Sequence, residues 1–147
     1  VDFKGIVRSI PTNKINFNYR SIELPKDLIF LSATFKGKEK KREEIYNYMN
    51  KLNAIKNMAQ PTKIKTSGST FKNPIDQTDK KVWELIRLCV PNTTRYGDAF
   101  ISEKHANFFV NKKNAKSADM KSLINFVKKK VNDKTGVKLE LEIVVVE

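Results

Sequence analysis

Residues 117–147 read SADMKSLINFVKKKVNDKTGVKLELEIVVVE. In the first part, Met120, Leu123, Ile124, Val127 and Val131 recur at helical spacing, which predicts a helix with one apolar face. Ser117 suits its N-cap and Gly136 its end. The period then changes. Val137, Leu139, Leu141, Ile143 and Val145 alternate with Lys138, Glu140 and Glu142, joined by Val144 and Val146, which predicts the clearest strand in the chain. Glu142 falls where the polar face of that strand turns apolar. Partial desolvation there would raise a carboxyl pKa and suit proton chemistry, and an ordinary solvent-facing Glu fits the same pattern.

Working back toward the N-terminus, residues 75–90 predict a second helix. Asp76 or Thr78 would cap it, and Val82, Trp83, Leu85, Ile86 and Cys89 form its stripe. PNTTRYGD at 91–98 breaks the helix, and AFISEKHANFFVN at 99–111 reads as two short strands around a polar turn. From residue 75 the order is therefore helix, strand, strand, helix, strand. That predicts an α+β fold, a mostly antiparallel sheet with helices packed on one side.

Upstream, 58–74 reads as a loop, and 38–57 as a helix with Ile45, Tyr48, Met49, Leu52 and Ile55 on one face. Residues 1–36 look extended. FKGIVRSI and DLIFLSATFKG are β-rich runs, and INFNYR at 15–20 alternates, with Tyr19-Arg20 at its end. Three segments follow: 1–37 as the tail of a preceding β-rich domain, 38–66 as helix and connecting loop, and 67–147 as the α+β domain. The chain opens in what reads as a strand already under way, so a C-terminal fragment of a longer protein is expected.

The chain has 147 residues and a formal net charge of +13. A surface so basic suits an anionic partner such as nucleic acid or a phosphorylated small molecule. Yet Lys far outnumbers Arg, and Arg is the residue suited to bidentate phosphate contacts, so an AT-rich coding bias accounts for the charge as well. Nucleic acid is not expected as a partner. The single Cys, Cys89, forms no internal disulfide and sits among apolar neighbours, as a core residue would. No spacing of His, Cys and acids suggests a metal site. No apolar run approaches the roughly 18 residues that span a bilayer. A cytoplasmic protein without membrane contact, and a monomer, is the expectation.

The chemistry-bearing stretch is SGSTFKNP at 67–74. Gly68 allows a backbone conformation or a close approach that a Cβ would block. Ser69 can lend a proton, Lys72 offers a point charge, and Asn73 both donates and accepts. The stretch also reads as a glycine turn whose Ser and Thr cap their own backbone. It is not a P-loop, and no Gly-x-Gly-x-x-Gly fingerprint is present. A second polar cluster, Ser102 to Asn107, contains Lys104 and His105. Tyr19-Arg20 is the third, where Arg could pair with a carboxylate.

These clusters in this order resemble the MurB family, UDP-N-acetylenolpyruvoylglucosamine reductase. GSTFKNP at 68–74, SEKHANFFVN at 102–111 and LELEI at 139–143 carry the resemblance, with NFNYR at 16–20 and Gln60-Pro61 upstream. The compact SEKHANFFVN form resembles the type II branch. CVPNTTRYGD replaces the family's small-residue turn, and KNMAQP lacks its Arg before Gln-Pro. The resemblance covers the family's C-terminal half and implies a flavoenzyme of peptidoglycan synthesis. Such an enzyme uses NADPH to reduce FAD, and the flavin then reduces the enolpyruvyl group of a UDP-sugar. It implies that Arg20 contacts the substrate carboxylate, Ser69 gives the proton and Glu142 stabilises the enol-like intermediate. Tyr19, Lys72, Asn73 and Lys104 would hold substrate. Most FAD contacts belong to the family's other half, so the chain alone would bind FAD poorly and not turn over. A non-catalytic basic remnant that binds nucleic acid or nucleotides is the alternative.

Overall fold

The computed structural model describes residues 1–146. They divide into two units, residues 1–41 and the residues from Arg42 onward. The segment 38–66 thus splits at 41/42, and its residues from Arg42 onward belong to the second unit.

In the first unit, β1 (Asn16–Asn18) and β2 (Ser21–Glu23) form an antiparallel hairpin. Tyr19 and Arg20 are its two-residue turn rather than the end of a strand, and Arg20 adopts φ 57°. A left-handed conformation costs a non-glycine residue roughly 1–2 kcal/mol. The Glu23 carboxylate accepts from Asn16 Nδ2 (2.8 Å) and Asn18 Nδ2 (3.0 Å), which cross-braces the hairpin and lowers the Glu23 pKa. The β-rich runs on either side form no regular strand; their one ladder rung is a bridge between Asp2 and Leu28. Asp2 is buried and organises the first turn, accepting from Lys4 N, Ile6 N and the Arg8 guanidinium.

The second unit starts with helix α1 (Arg42–Ala59), followed by β3 (Lys65–Ser69), α2 (Val82–Cys89), β4 (Arg95–Tyr96), β5 (Ala99–Ile101), β6 (Phe108–Asn111) and α3 (Ser117–Thr135). The sheet is antiparallel, in the order β3-β6-β5-β4. Helices α2 and α3 cover one face of it, as the order of elements predicts. Val82, Leu85, Ile86 and Cys89 of α2 meet Leu123, Ile124, Val127 and Val131 of α3 in a core that also takes Ala99, Ile101 and Phe109 from the sheet. Phe71 is fully buried at its centre, its ring edge-on to Phe109 with centroids 5.7 Å apart.

Several boundaries differ from the sequence expectation. Helix α2 begins at Val82, not near residue 75. The Glu84 carboxylate, in the first turn itself, accepts from Lys81 N (2.7 Å), and Asn73 Oδ1 accepts from Val82 N (3.1 Å), a cap from outside the helix. The α3 terminus likewise uses Asp119, which accepts from Lys116 N (2.8 Å), instead of Ser117. Gly136 closes α3 in the left-handed conformation, φ 75°. Residues 65–69 are an edge strand, not a loop, and β4 lies inside the stretch read as a helix break.

The largest change concerns residues 137–146. They form no regular strand: Val137 and Leu139 are buried, as alternation predicts, but the ladder is a single bridge, Phe71 opposite Leu141, and the chain bends at 142–143. Nearer the helix, the Gln77 carboxamide takes the place of a strand edge. Lys138 N donates to Gln77 Oε1 (2.8 Å) and Gln77 Nε2 donates to Lys138 O (3.0 Å). Alternation identifies the buried face correctly, because it reads side chains, and says nothing about which backbone supplies the ladder.

The apolar stripe of α1 is also uncovered. Ile45, Tyr48, Met49, Leu52 and Ile55 are all exposed, and no residue of the helix is buried. Among the described residues no helix is long and apolar enough to cross a membrane.

Candidate functional site

The stretch around Ser69 is built by an irregularity in the sheet. β3 pairs with β6 at Thr66 opposite Val110 and again at Ser69 opposite Phe108, with a register shift between. Gly68 sits in that bulge with φ 90°, and a Cβ there would meet nothing within 4 Å. Of the two uses for glycine, the conformation is the one required; any other residue would strain. Thr66 Oγ1 fixes the bulge from inside, donating to Phe109 O (2.8 Å) and accepting from Gly68 N (3.3 Å).

Past Ser69 the chain leaves β6 and meets residues 140–142. Glu142 N donates to Thr70 O (2.9 Å) and Lys72 N donates to Glu140 O (2.9 Å), flanking the Phe71–Leu141 pair. Glu142 is therefore tied by its backbone to Thr70, the residue that follows Ser69 in the chain. Alternation about that rung sets Phe71 and Leu141 on the core side, and Thr70 and Glu142 on the other. Glu142 is half-buried.

Thr70 is fully buried, and its Oγ1 has no hydrogen-bond partner among the described residues. A buried hydroxyl left unpaired costs about 1–3 kcal/mol. Thr70→Val removes the hydroxyl at nearly constant shape, so the unit should gain about 1 kcal/mol; a rise in the urea midpoint at unchanged m-value is the check.

The remaining sequence candidates divide. Lys72 lies beside the Glu140 carboxylate, Nζ to Oε2 3.6 Å, an exposed cross-strand pair of small energetic weight. Asn73 Oδ1 is engaged in capping α2. Lys104 Nζ donates to Asn57 O (3.1 Å), so its charge sits at the C-terminal end of α1, where a cation is favoured. Lys104 also lines an open groove of about 600 Å³ with Lys63, Lys112, Phe100 and Val110. Tyr19 and Arg20 belong to the first unit, where the Arg20 guanidinium lies 5.6 Å from the Tyr19 ring centroid. Cys89 is in the core, 1% exposed.

Two residues of the polar turn at 102–107 act in ways the sequence did not single out. Asn107 is 4% exposed and holds both backbone groups of Phe71. His105 Nδ1 accepts from Asn107 N (3.3 Å), and its ring packs edge-on against Phe108, centroids 4.9 Å apart. Burial, then the nearby Arg87 charge, lower the His105 pKa below its ordinary value of 6.5. An imidazolium cannot accept the Asn107 amide, which agrees with that direction.

The sign of the pH effect follows. A depressed folded-state pKa means that the unfolded chain binds the proton more readily. The stability from neutral His105 is fully present above about pH 6.5 and is lost as pH falls through that value toward the folded pKa. Urea midpoints should decline from pH 8 to pH 5, and His105→Gln should flatten part of that decline. An unchanged slope in the variant would remove His105 from the account.

Comparison with known proteins gives one consistent answer. The family model for UDP-N-acetylenolpyruvoylglucosamine reductase, C-terminal domain, matches residues 60–146. The chain is similar to the UDP-N-acetylenolpyruvoylglucosamine reductase of Pelagibacter ubique, 60% identical over 143 residues that cover 97% of this chain and 47% of that protein. It is similar to the Rickettsia bellii protein of the same name at 43% identity, covering 97% of this chain and 46% of the other. Among solved structures, the UDP-N-acetylenolpyruvylglucosamine reductase (MurB) from Thermus caldophilus aligns with a TM-score of 0.69 at 32% identity, over 90% of this chain and 47% of that one. The chain spans about half the length of the curated relatives it matches.

Proposed function

Since the chain belongs to the UDP-N-acetylenolpyruvoylglucosamine reductase family, in its C-terminal domain, we propose that it is the substrate-handling and proton-donating part of such a reductase. The substrate is the enolpyruvyl ether of UDP-N-acetylglucosamine and the product is UDP-N-acetylmuramate, an intermediate of peptidoglycan synthesis. The single observation that supports the reading is the backbone bond from Glu142 N to Thr70 O, which ties Glu142 to the residue next to Ser69 in the chain.

The chemistry needs both side chains. Hydride addition at one alkene carbon leaves an electron pair on its neighbour, delocalised into the attached carboxylate. Ser69 Oγ gives its proton to that carbon, forming the new C–H bond, and recovers a proton from solvent. Proton donation by a positioned side chain contributes typically 10²- to 10⁴-fold. A proton on Glu142 would hydrogen-bond the carboxylate and reduce its charge, and Arg20 would pair with it bidentately. Tyr19, Lys72, Asn73 and Lys104 hold the UDP-sugar in this reading.

FAD reduced by NADPH supplies the hydride in the family's reaction. Most contacts to FAD are expected in the family's other half. The residues treated above therefore concern the carboxylate and the proton only.

The test joins this chain to the amino-terminal portion of the Pelagibacter ubique reductase, in place of the matching 143 residues. In the absence of oxygen the chimaera should reduce its flavin once with NADPH and sustain NADPH oxidation only when the enolpyruvyl UDP-sugar is present. Flavin reduction without substrate turnover would refute the proposal. RNA binding that weakens steeply with salt, with no response to the UDP-sugar, would favour a basic binding module instead.

A further inference from the structure

The backbone on either side of the Thr70–Phe71 peptide presents four polar groups, and one residue satisfies three of them. Thr70 N donates to Asn107 O (2.8 Å), Phe71 N donates to Asn107 Oδ1 (3.0 Å), and Asn107 Nδ2 donates to Phe71 O (2.8 Å). The fourth, Thr70 O, accepts from Glu142 N. We propose that Asn107 is a positioning residue for proton delivery: its carboxamide stands in for the missing edge of β6 and fixes the Thr70–Phe71 segment that directly follows Ser69. This rests on the reading of Ser69 as proton donor.

Strand β6 starts at Phe108. Its last rung with β3 is Phe108 opposite Ser69. Beyond it the chain turns into the 102–107 loop, and Thr70 and Phe71 would lose their ladder partners on that side. A buried backbone group without a partner costs about as much as a lost hydrogen bond, so something must replace the strand. An Asn side chain carries the same donor and acceptor as a peptide. Asn107 is buried, and its own amide is tied to His105 Nδ1, so the clamp is held from behind. The result is a short segment fixed on one edge by Asn107 and on the other by residues 140–142. Ser69 precedes that segment directly. Proton transfer is sensitive to displacements of about 1 Å, which can cost on the order of 100-fold. Freedom at Phe71 should therefore appear at Ser69 as slower protonation.

Asn107→Asp tests this in the chimaera described above. The substitution keeps the shape and the acceptor for Phe71 N, but replaces the donor with an oxygen that faces Phe71 O. Flavin reduction by NADPH should stay within about twofold of the parent, and KM for the UDP-sugar should change little. Reoxidation of the reduced flavin by substrate should slow about 10- to 100-fold. Hydrogen exchange at the Phe71 amide should speed up in Asn107→Ala, a variant that removes the clamp altogether. Parent-like reoxidation in Asn107→Asp would overturn the proposal. So would an equal loss of both half-reactions, or loss of the fold in both variants, since Asn107 would then be a structural residue alone. If the parent chimaera itself fails to reduce substrate, the functional reading falls before Asn107 is tested, and the two failures are distinct.

Discussion

Ser69→Ala should leave flavin reduction by NADPH intact and slow reduction of the enolpyruvyl UDP-sugar by about 10²- to 10⁴-fold. The asymmetry follows from the roles assigned. NADPH oxidation asks nothing of a proton donor placed at the substrate carbon, whereas the second half-reaction stalls with its electron pair unquenched. The substitution itself is mild. Ser69 is half-exposed at a sheet edge, and removing one hydroxyl from such a place changes stability little. The bulge survives as well, because it is set by Gly68 and by Thr66 Oγ1. Stopped-flow flavin absorbance separates the two half-reactions. Equal loss in both would count against Ser69 as the donor.

Phe71→Ala should cost about 3–5 kcal/mol, the largest single effect on stability expected in this chain. Phe71 is fully buried, packs edge-to-face on Phe109, and belongs to the same core cluster as the buried faces of α2 and α3 and Val137 and Leu139. Truncation removes that apolar surface and leaves a cavity that the surrounding helices and strands fill only in part. A domain of this size has a total stability of about 5–15 kcal/mol, so a large share would be lost. The urea midpoint should drop sharply with the m-value retained. A change under about 1 kcal/mol would mean that the Phe71 site is not the centre of the core. Phe71 also joins stability to function, since its backbone carries the Asn107 clamp and its neighbours are Thr70 and Lys72.

The helices were legible where they meet the core. The spacing of Val82, Leu85, Ile86 and Cys89, and of Leu123, Ile124, Val127 and Val131, names the buried faces of α2 and α3 residue by residue. Spacing did not say what covers a face, so the stripe of α1 reads the same and is exposed. β3 was illegible for a different reason. Lys65, Thr66, Ser67, Gly68 and Ser69 carry no apolar alternation, and the segment is a strand because β6 offers it an edge. That is tertiary context overriding local preference.

Motif order pointed to Arg20, Ser69 and Glu142; in the fold a sheet bulge ends at Ser69, and the backbone of Glu142 is bonded to Thr70, its neighbour in the chain. Asn107 escaped notice because it looks like one more polar residue in a turn. Its role lies in side-chain to backbone bonds across 36 residues of sequence, which no local pattern encodes. The same device recurs at Gln77 and Lys138. Two carboxamides thus complete ladders that the strands themselves leave short.

The most direct test of the central claim is a single turnover. The chimaera with its flavin reduced is mixed with the enolpyruvyl UDP-sugar in the absence of oxygen, and flavin absorbance is followed. Substrate-dependent reoxidation with formation of UDP-N-acetylmuramate is the predicted result. A flavin that stays reduced, in a chimaera that binds FAD and accepts electrons from NADPH normally, would contradict it.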